Sequence, residues 1–154
     1  MARKAGSKAM GILGALLVLT LVMIPLSGEA SSAKSEVKDG VFIHISHGTD
    51  DPHRVLMALK MASHMIEDKD VLVYFDIKGI EVVLKDSKDL TYSHFPSSHT
   101  QLKNLMAKGV HFYVCPGCLE AAGKKPEDVM QGVKIADKKA FLDFTKGRIL
   151  TLDY

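Results

Sequence analysis

The sequence predicts a single α/β domain with a mainly parallel, five-stranded sheet, and three observations carry that prediction. Short runs that are apolar at nearly every position recur between residues 41 and 152, as in strands buried on both faces. Between them lie stretches with helical periodicity and their own start and stop residues, the rhythm of βαβ units. The 154 residues, 47% hydrophobic and 25% charged, suffice for one core and not for two ordinary domains.

The first strand is Val41 to Ser46, reading Val-Phe-Ile-His-Ile-Ser. A turn follows, and Asp51-Pro52 supplies an N-cap and a proline suited to the first helical position. Val55, Leu59, Ala62 and Ile66 form the apolar stripe of that helix, which should end near residues 67–69. Val71 to Phe75 is the second strand. Ile80 to Leu84 is apolar but too short to assign. Residues 85–100 are polar and read as a long loop, a candidate lid or interface arm. Gln101 to Lys108 reads as a helix with Leu102, Leu105 and Met106 inward and Gly109 as its stop. The third strand is Val110 to Val114, after which Cys115-Pro116-Gly117-Cys118 opens a short helix closing at Gly123. Val133 to Ala136 is a fourth strand. Asp137 caps a helix with Ala140, Phe141 and Phe144 inward, and Arg148 to Leu152 is the last strand.

The first 33 residues read as an address, with residues 34–154 as the working domain. Arg3, Lys4 and Lys8 precede an uncharged run from Met10 to Ile24, then Pro25 and small residues up to Ala33. A basic start, a short apolar run and small residues form a secretory signal, with Ala30 or Ala33 before the cut. A spanning helix wants about 20 apolar residues, so contact with a membrane is expected only through an uncleaved signal. The expected location is periplasmic or secreted, where cysteines meet an oxidising environment. The net charge of +2 belongs to the address, because removing it takes three basic residues and one acidic one. No clustered positive face is left, so a nucleic-acid partner is not expected. The glycines form no dinucleotide or P-loop fingerprint, and no cofactor is expected.

Ligand sites of open parallel sheets lie beyond the carboxyl ends of the strands. The first strand delivers His47, Gly48, Thr49 and Asp50 there, the second Asp76 and the third Cys115. Cys115 follows a strand and begins a helix, where unpaired N–H groups favour a thiolate. Cys118 lies one turn later, close enough to resolve an oxidised or persulfidated Cys115. His47 is the histidine that connectivity best allows to approach Cys115. His111 lies four residues before it on the same strand, roughly 13 Å away. His44, inside a buried-type strand, reads as a hydrogen-bonded core histidine, while His53 and His64 read as a solvated helix face. The Thr49-Asp50-Asp51-Pro52 segment is good helix-start chemistry, and the helix N-terminus it makes is a possible anion seat.

Two segments carry a resemblance. His-Gly-Thr-Asp-Asp-Pro-His-Arg at residues 47–54 and Gly-Val-His-Phe-Tyr-Val-Cys-Pro-Gly-Cys-Leu-Glu-Ala-Ala-Gly at residues 109–123 resemble the DsrE/DsrF-like family, as does the Gly-Arg-Ile-Leu-Thr-Leu ending at residues 147–152. The likeness spans about residues 40–154. It implies a three-layer α/β/α sandwich, assembly into trimers or hexamers, and in the family's sulfur-relay members a persulfide at the position matching Cys115. A sulfur donor or acceptor protein is then an expected partner. The sulfur-relay members are cytoplasmic whereas this chain reads as exported, and a second thiol tends to discharge a persulfide as a disulfide. The leading expectation is an exported thiol protein that carries sulfur or exchanges disulfides at Cys115, with Cys118 resolving. The alternatives are a soft-metal site on the two thiolates, with His47 as a possible third ligand, and a small-ligand binder with a structural disulfide.

Overall fold

Five parallel strands make up the central sheet of the computed structural model, which describes residues 37–154. They are β1 (Gly40–Ile45), β2 (Asp70–Phe75), β3 (His111–Val114), β4 (Val133–Ile135) and β5 (Ile149–Asp153), in the spatial order β4-β3-β2-β1-β5. The expected address at residues 1–33 lies outside the described residues. Among the described residues no helix is long and apolar enough to cross a membrane.

Register explains the apolar runs. Val41 pairs with Val71 and Ile43 with Val73, while Phe42 pairs with Leu72 and His44 with Tyr74. Partners in a parallel sheet share a face, so one face carries Val41, Ile43, Ile45, Val71, Val73, Phe75, Phe112 and Val114, all buried. On it pack α1 (Pro52–Met65), α2 (Ser98–Ala107) and α3 (Pro116–Ala121), through Val55 and Leu59, Leu102 and Leu105, and Leu119. Each such side chain taken out of water stabilises the fold by roughly 1.5–3 kcal/mol before entropy is counted.

The second face holds Phe42, Leu72 and Tyr74 and is covered by α4 (Lys138–Phe144). Phe141 meets Phe42 at 6.0 Å and Tyr74 edge-on at 5.2 Å between ring centroids. Right-handed crossovers require this division. From β1 to β4 the chain steps in one direction, so its helices fall on one face. The connection from β4 to β5 runs back across the whole sheet, and its helix falls on the other. The three layers are therefore unequal. Ala140, Phe141 and Phe144 do face inward, but α4 has no fully buried residue.

The local signals act as the sequence reading expects at α1, where the Asp51 side chain accepts the Arg54 N–H at 3.1 Å and Pro52 opens the helix. Asp137 caps α4 in the same way through the Ala140 N–H at 2.7 Å. One unassigned run gains a structure and one helix boundary needs correction. The unassigned run is a buried 3-10 helix over Gly79–Val83, and α2 begins at Ser98 rather than Gln101. Asp89, far back in the loop, accepts the His99 N–H at 2.9 Å and the Ser98 hydroxyl at 3.3 Å, so the first turn has its acceptor. The long loop is also pinned, with Leu90 buried and its N–H donating to the Ser98 Oγ at 2.9 Å.

Candidate thiol site

Cys115 stands at the carboxyl end of β3, its N–H donating to the Phe75 carbonyl at 2.9 Å. Its side chain caps α3 by accepting the Cys118 N–H at 3.4 Å, and Pro116 fills the first helical position. Cys118 accepts the Ile77 N–H on its sulfur at 3.2 Å. The two cysteines approach to 3.1 Å and both are free thiols, partly exposed.

Their surroundings separate them. Burial alone would push Cys115 up. The nearby Tyr74 hydroxyl, the Cys118 thiol and the N–H groups of Cys118 and Gly117 outweigh it and hold the Cys115 thiol below its ordinary value. Cys118 is pushed up by burial and by its contact with Cys115, an effect the Ile77 N–H offsets only in part. Of the pair, Cys115 thus ionises the more readily and Cys118 the less. Tyr74 in turn is raised well above the ordinary phenol, by burial first and by Cys115 second, and stays a hydrogen-bond donor.

The loop that serves Cys118 is built tightly. Ile77 has φ +48°, a left-handed conformation that a β-branched residue rarely adopts. Behind it, a Cβ on Gly79 would stand 2.0 Å from the Ile45 carbonyl oxygen, so only glycine lets this loop lie against the end of β1. Gly79 N–H and Lys78 N–H both donate to the Ser46 carbonyl at 3.2 Å. The Ile77 N–H is thereby aimed from a fixed backbone.

The other expected residues sort into two groups. The His47–Asp50 turn is tied to itself and to the loop after β2. Asp50 accepts the Gly48 N–H at 2.9 Å, the His47 ring at 3.2 Å and Lys78 at 3.3 Å, which hold its carboxyl well below the usual range. Thr49 donates through Oγ1 to Glu81 at 2.7 Å. His47 is engaged with Asp50, and the side chains beside Cys115 are Tyr74 and Cys118. Asp76 does border the thiol site, immediately before Ile77.

Asp76 also meets a residue read from sequence as a core histidine. His44 lies half-buried at the carboxyl edge, on the α4 face of the sheet. Its Nε2 stands 2.8 Å from Asp76 Oδ1, both atoms shielded from solvent and neither with another partner, and its Nδ1 is 3.0 Å from Asp153 Oδ1. Burial opposes charge on His44, but the two carboxylates outweigh it and raise its pKa. The His44 and Tyr74 rings stack at 5.9 Å. A continuous row, Cys115–Tyr74–His44–Asp153, with Asp76 beside it, therefore crosses the ends of β3, β2, β1 and β5. Tyr74 and Asp153 were not marked by sequence, and His44 was read there as a hydrogen-bonded core histidine and not as a neighbour of the thiols. The signal that could have found them is register, since all three share the face that Cys115 follows.

Among the described residues no three His, Cys, Asp or Glu side chains converge to hold a metal ion. His47, the third ligand considered from sequence, is held at Asp50.

Comparison with known proteins places these features. The model of the DsrE/DsrF-like family matches residues 39–151. The uncharacterised protein MJ0989 of Methanocaldococcus jannaschii is 30% identical over 94 residues, covering 60% of this chain and 80% of that protein. Among solved structures, MTH1491 of Methanobacterium thermoautotrophicum, a protein of unknown function, superposes with a TM-score of 0.59 at 20% identity, over 75% of this chain and all of that one. The ychN protein of E. coli superposes with a TM-score of 0.55 at 15% identity, over 75% of this chain and 99% of that one. Both structures share the fold.

Proposed function

The chain belongs to the DsrE/DsrF-like family, and from that premise we propose that it is an exported thiol protein that accepts sulfur as a persulfide on Cys115, with Cys118 as the second thiol of the exchange. The single observation that carries this reading is the asymmetry of the pair. Cys115 is held toward thiolate by Tyr74, Cys118 and two backbone N–H groups, while Cys118 is kept protonated beside it. The thiolate is the nucleophile toward a sulfur donor.

Attack of the Cys115 thiolate on the outer sulfur of a donor persulfide forms the Cys115–S bond, breaks the donor's S–S bond and releases the donor as a thiolate. No net oxidation occurs. Cys118 at 3.1 Å is the group that can next react with the product. The export part of the proposal rests on residues 1–33 alone, and the sulfur part on residues 74–118.

Reduced protein treated with inorganic polysulfide, desalted and weighed intact is the test. The expected result is a mass gain of one sulfur atom in the wild type and in Cys118→Ser. Cys115→Ser should show none. Equal gain in Cys115→Ser would remove Cys115 from the role.

A further inference from the structure

The two thiols open on different sides of the sheet's edge. Cys115 lies against Tyr74, whose ring is on the face covered by α4. Cys118 packs against the main core on the opposite face and lines a cavity of about 580 Å³ there, which Cys115 does not line. Ile77, Ile80, Leu84, Ala121 and Ala122 form the cavity's apolar wall. Its charged lining residues are already engaged elsewhere, Lys78 with Asp50 at 3.3 Å, Lys124 with Asp86 at 3.4 Å and Glu81 with Thr49 at 2.7 Å. The volume lies in the range of small-molecule sites. A guest would find apolar contact and a sulfur atom, with no free ion to anchor a carboxylate.

We propose that sulfur taken up at Cys115 passes to Cys118, which delivers it inside this cavity to a thiol carried on an apolar, uncharged body. The inference rests on the reading of Cys115 as sulfur acceptor and adds the route and the acceptor class. In the transfer, the Cys118 sulfur attacks the outer sulfur of the Cys115 persulfide. The Cys118–S bond forms, the Cys115–S bond breaks, and the Cys118 proton ends on Cys115. In delivery, the sulfur of the acceptor thiol attacks the same outer sulfur, the acceptor–S bond forms, the Cys118–S bond breaks, and the acceptor's proton ends on Cys118. No oxidant or reductant is needed at either step.

The direction has a chemical reason. A thiol that ionises easily is the better leaving group, and one that ionises with difficulty is intrinsically the stronger nucleophile once deprotonated. Cys115 fits the first description and Cys118 the second.

The experiment uses the full-length protein loaded with inorganic polysulfide, desalted, and mixed with either benzyl mercaptan or 2-mercaptoethanol. Samples are quenched by alkylation, and fragment masses locate the added sulfur. In the wild type, sulfur is expected first on Cys115 and then on Cys118, and it should leave several-fold faster to benzyl mercaptan than to 2-mercaptoethanol. In Cys118→Ser it should stay on Cys115 and lose that preference. Ala121→Phe, which fills the cavity and spares both thiols, should keep the Cys115-to-Cys118 step and abolish the preference.

Formation of a Cys115–Cys118 disulfide with release of sulfide in the loaded wild type would overturn the route. So would discharge from Cys118→Ser to benzyl mercaptan at the wild-type rate. A benzyl mercaptan preference unchanged in Ala121→Phe would overturn the cavity's role. Absence of loading on Cys115 in Cys118→Ser would instead overturn the functional reading beneath both.

Discussion

Tyr74 is the side chain on which the chemistry of Cys115 most depends. Its ring is clamped edge-on by Phe141 and stacked on His44, so its hydroxyl has little freedom to leave the thiol. Tyr74→Phe removes the hydroxyl and keeps the ring. We predict that it shifts the alkylation midpoint of Cys115 to higher pH, measured in a Cys118→Ser background by the pH dependence of iodoacetamide reaction. An unchanged midpoint would leave the backbone N–H groups as the whole cause. His44 makes a different prediction. Its pKa is raised in the folded protein by Asp76 and Asp153, so its contribution to stability is fully present below about pH 6.5, the unfolded value, and is lost as pH rises through the folded value. His44→Gln should therefore lower the urea midpoint more at pH 5.5 than at pH 8.5. Equal losses at both would mean that the ring acts by packing alone.

Strands and helices differ in how plainly they announce themselves. β1 and β2 are buried on both faces, so their apolar runs were readable within a residue of the observed ends. Asp51-Pro52 and Asp137 cap helices through side chains three residues away, and such short-range chemistry is visible in order along the chain. The start of α2 was not, because its cap is Asp89, nine and ten residues before the groups it accepts from. We predict that Asp89→Ala costs about 1 kcal/mol, the usual loss for a helix cap, by urea denaturation. A loss below a few tenths would mean that water replaces the carboxylate without penalty. The thiol pair was legible for the same local reason as α1, since Cys115 caps α3 from within four residues. Its neighbours were not, because Tyr74 reaches it only through the pairing of β2 with β3.

The fold as a whole was predictable to the level of layers and strand direction, since alternation of strands and helices forces a parallel sheet. The order β4-β3-β2-β1-β5 was beyond the sequence, as was the resulting row from Cys115 to Asp153. That order makes β5 depend on a partner strand more than a hundred residues earlier. The Gly40 N–H donates to the Arg148 carbonyl, Asp39 holds the Arg148 backbone and guanidinium, and His44 meets Asp153, with sequence separations of 109 for the side-chain contacts. The helix that leads into β5 contributes no fully buried side chain, and Leu150 of β5 itself is 51% exposed. Closing so long a loop is entropically slow and little burial rewards it. α4 and β5 should accordingly form one of the weakest cooperative units of the domain. In native-state hydrogen exchange their amides are expected to open together, at a lower free energy than those of β1 and β2. Exchange of β5 only with global unfolding would contradict this. The His44 pair with Asp153 is then a contact that comes and goes while the rest of the sheet stays folded. The edge beside the thiols would breathe on a clock of its own, set by how often the last strand lets go.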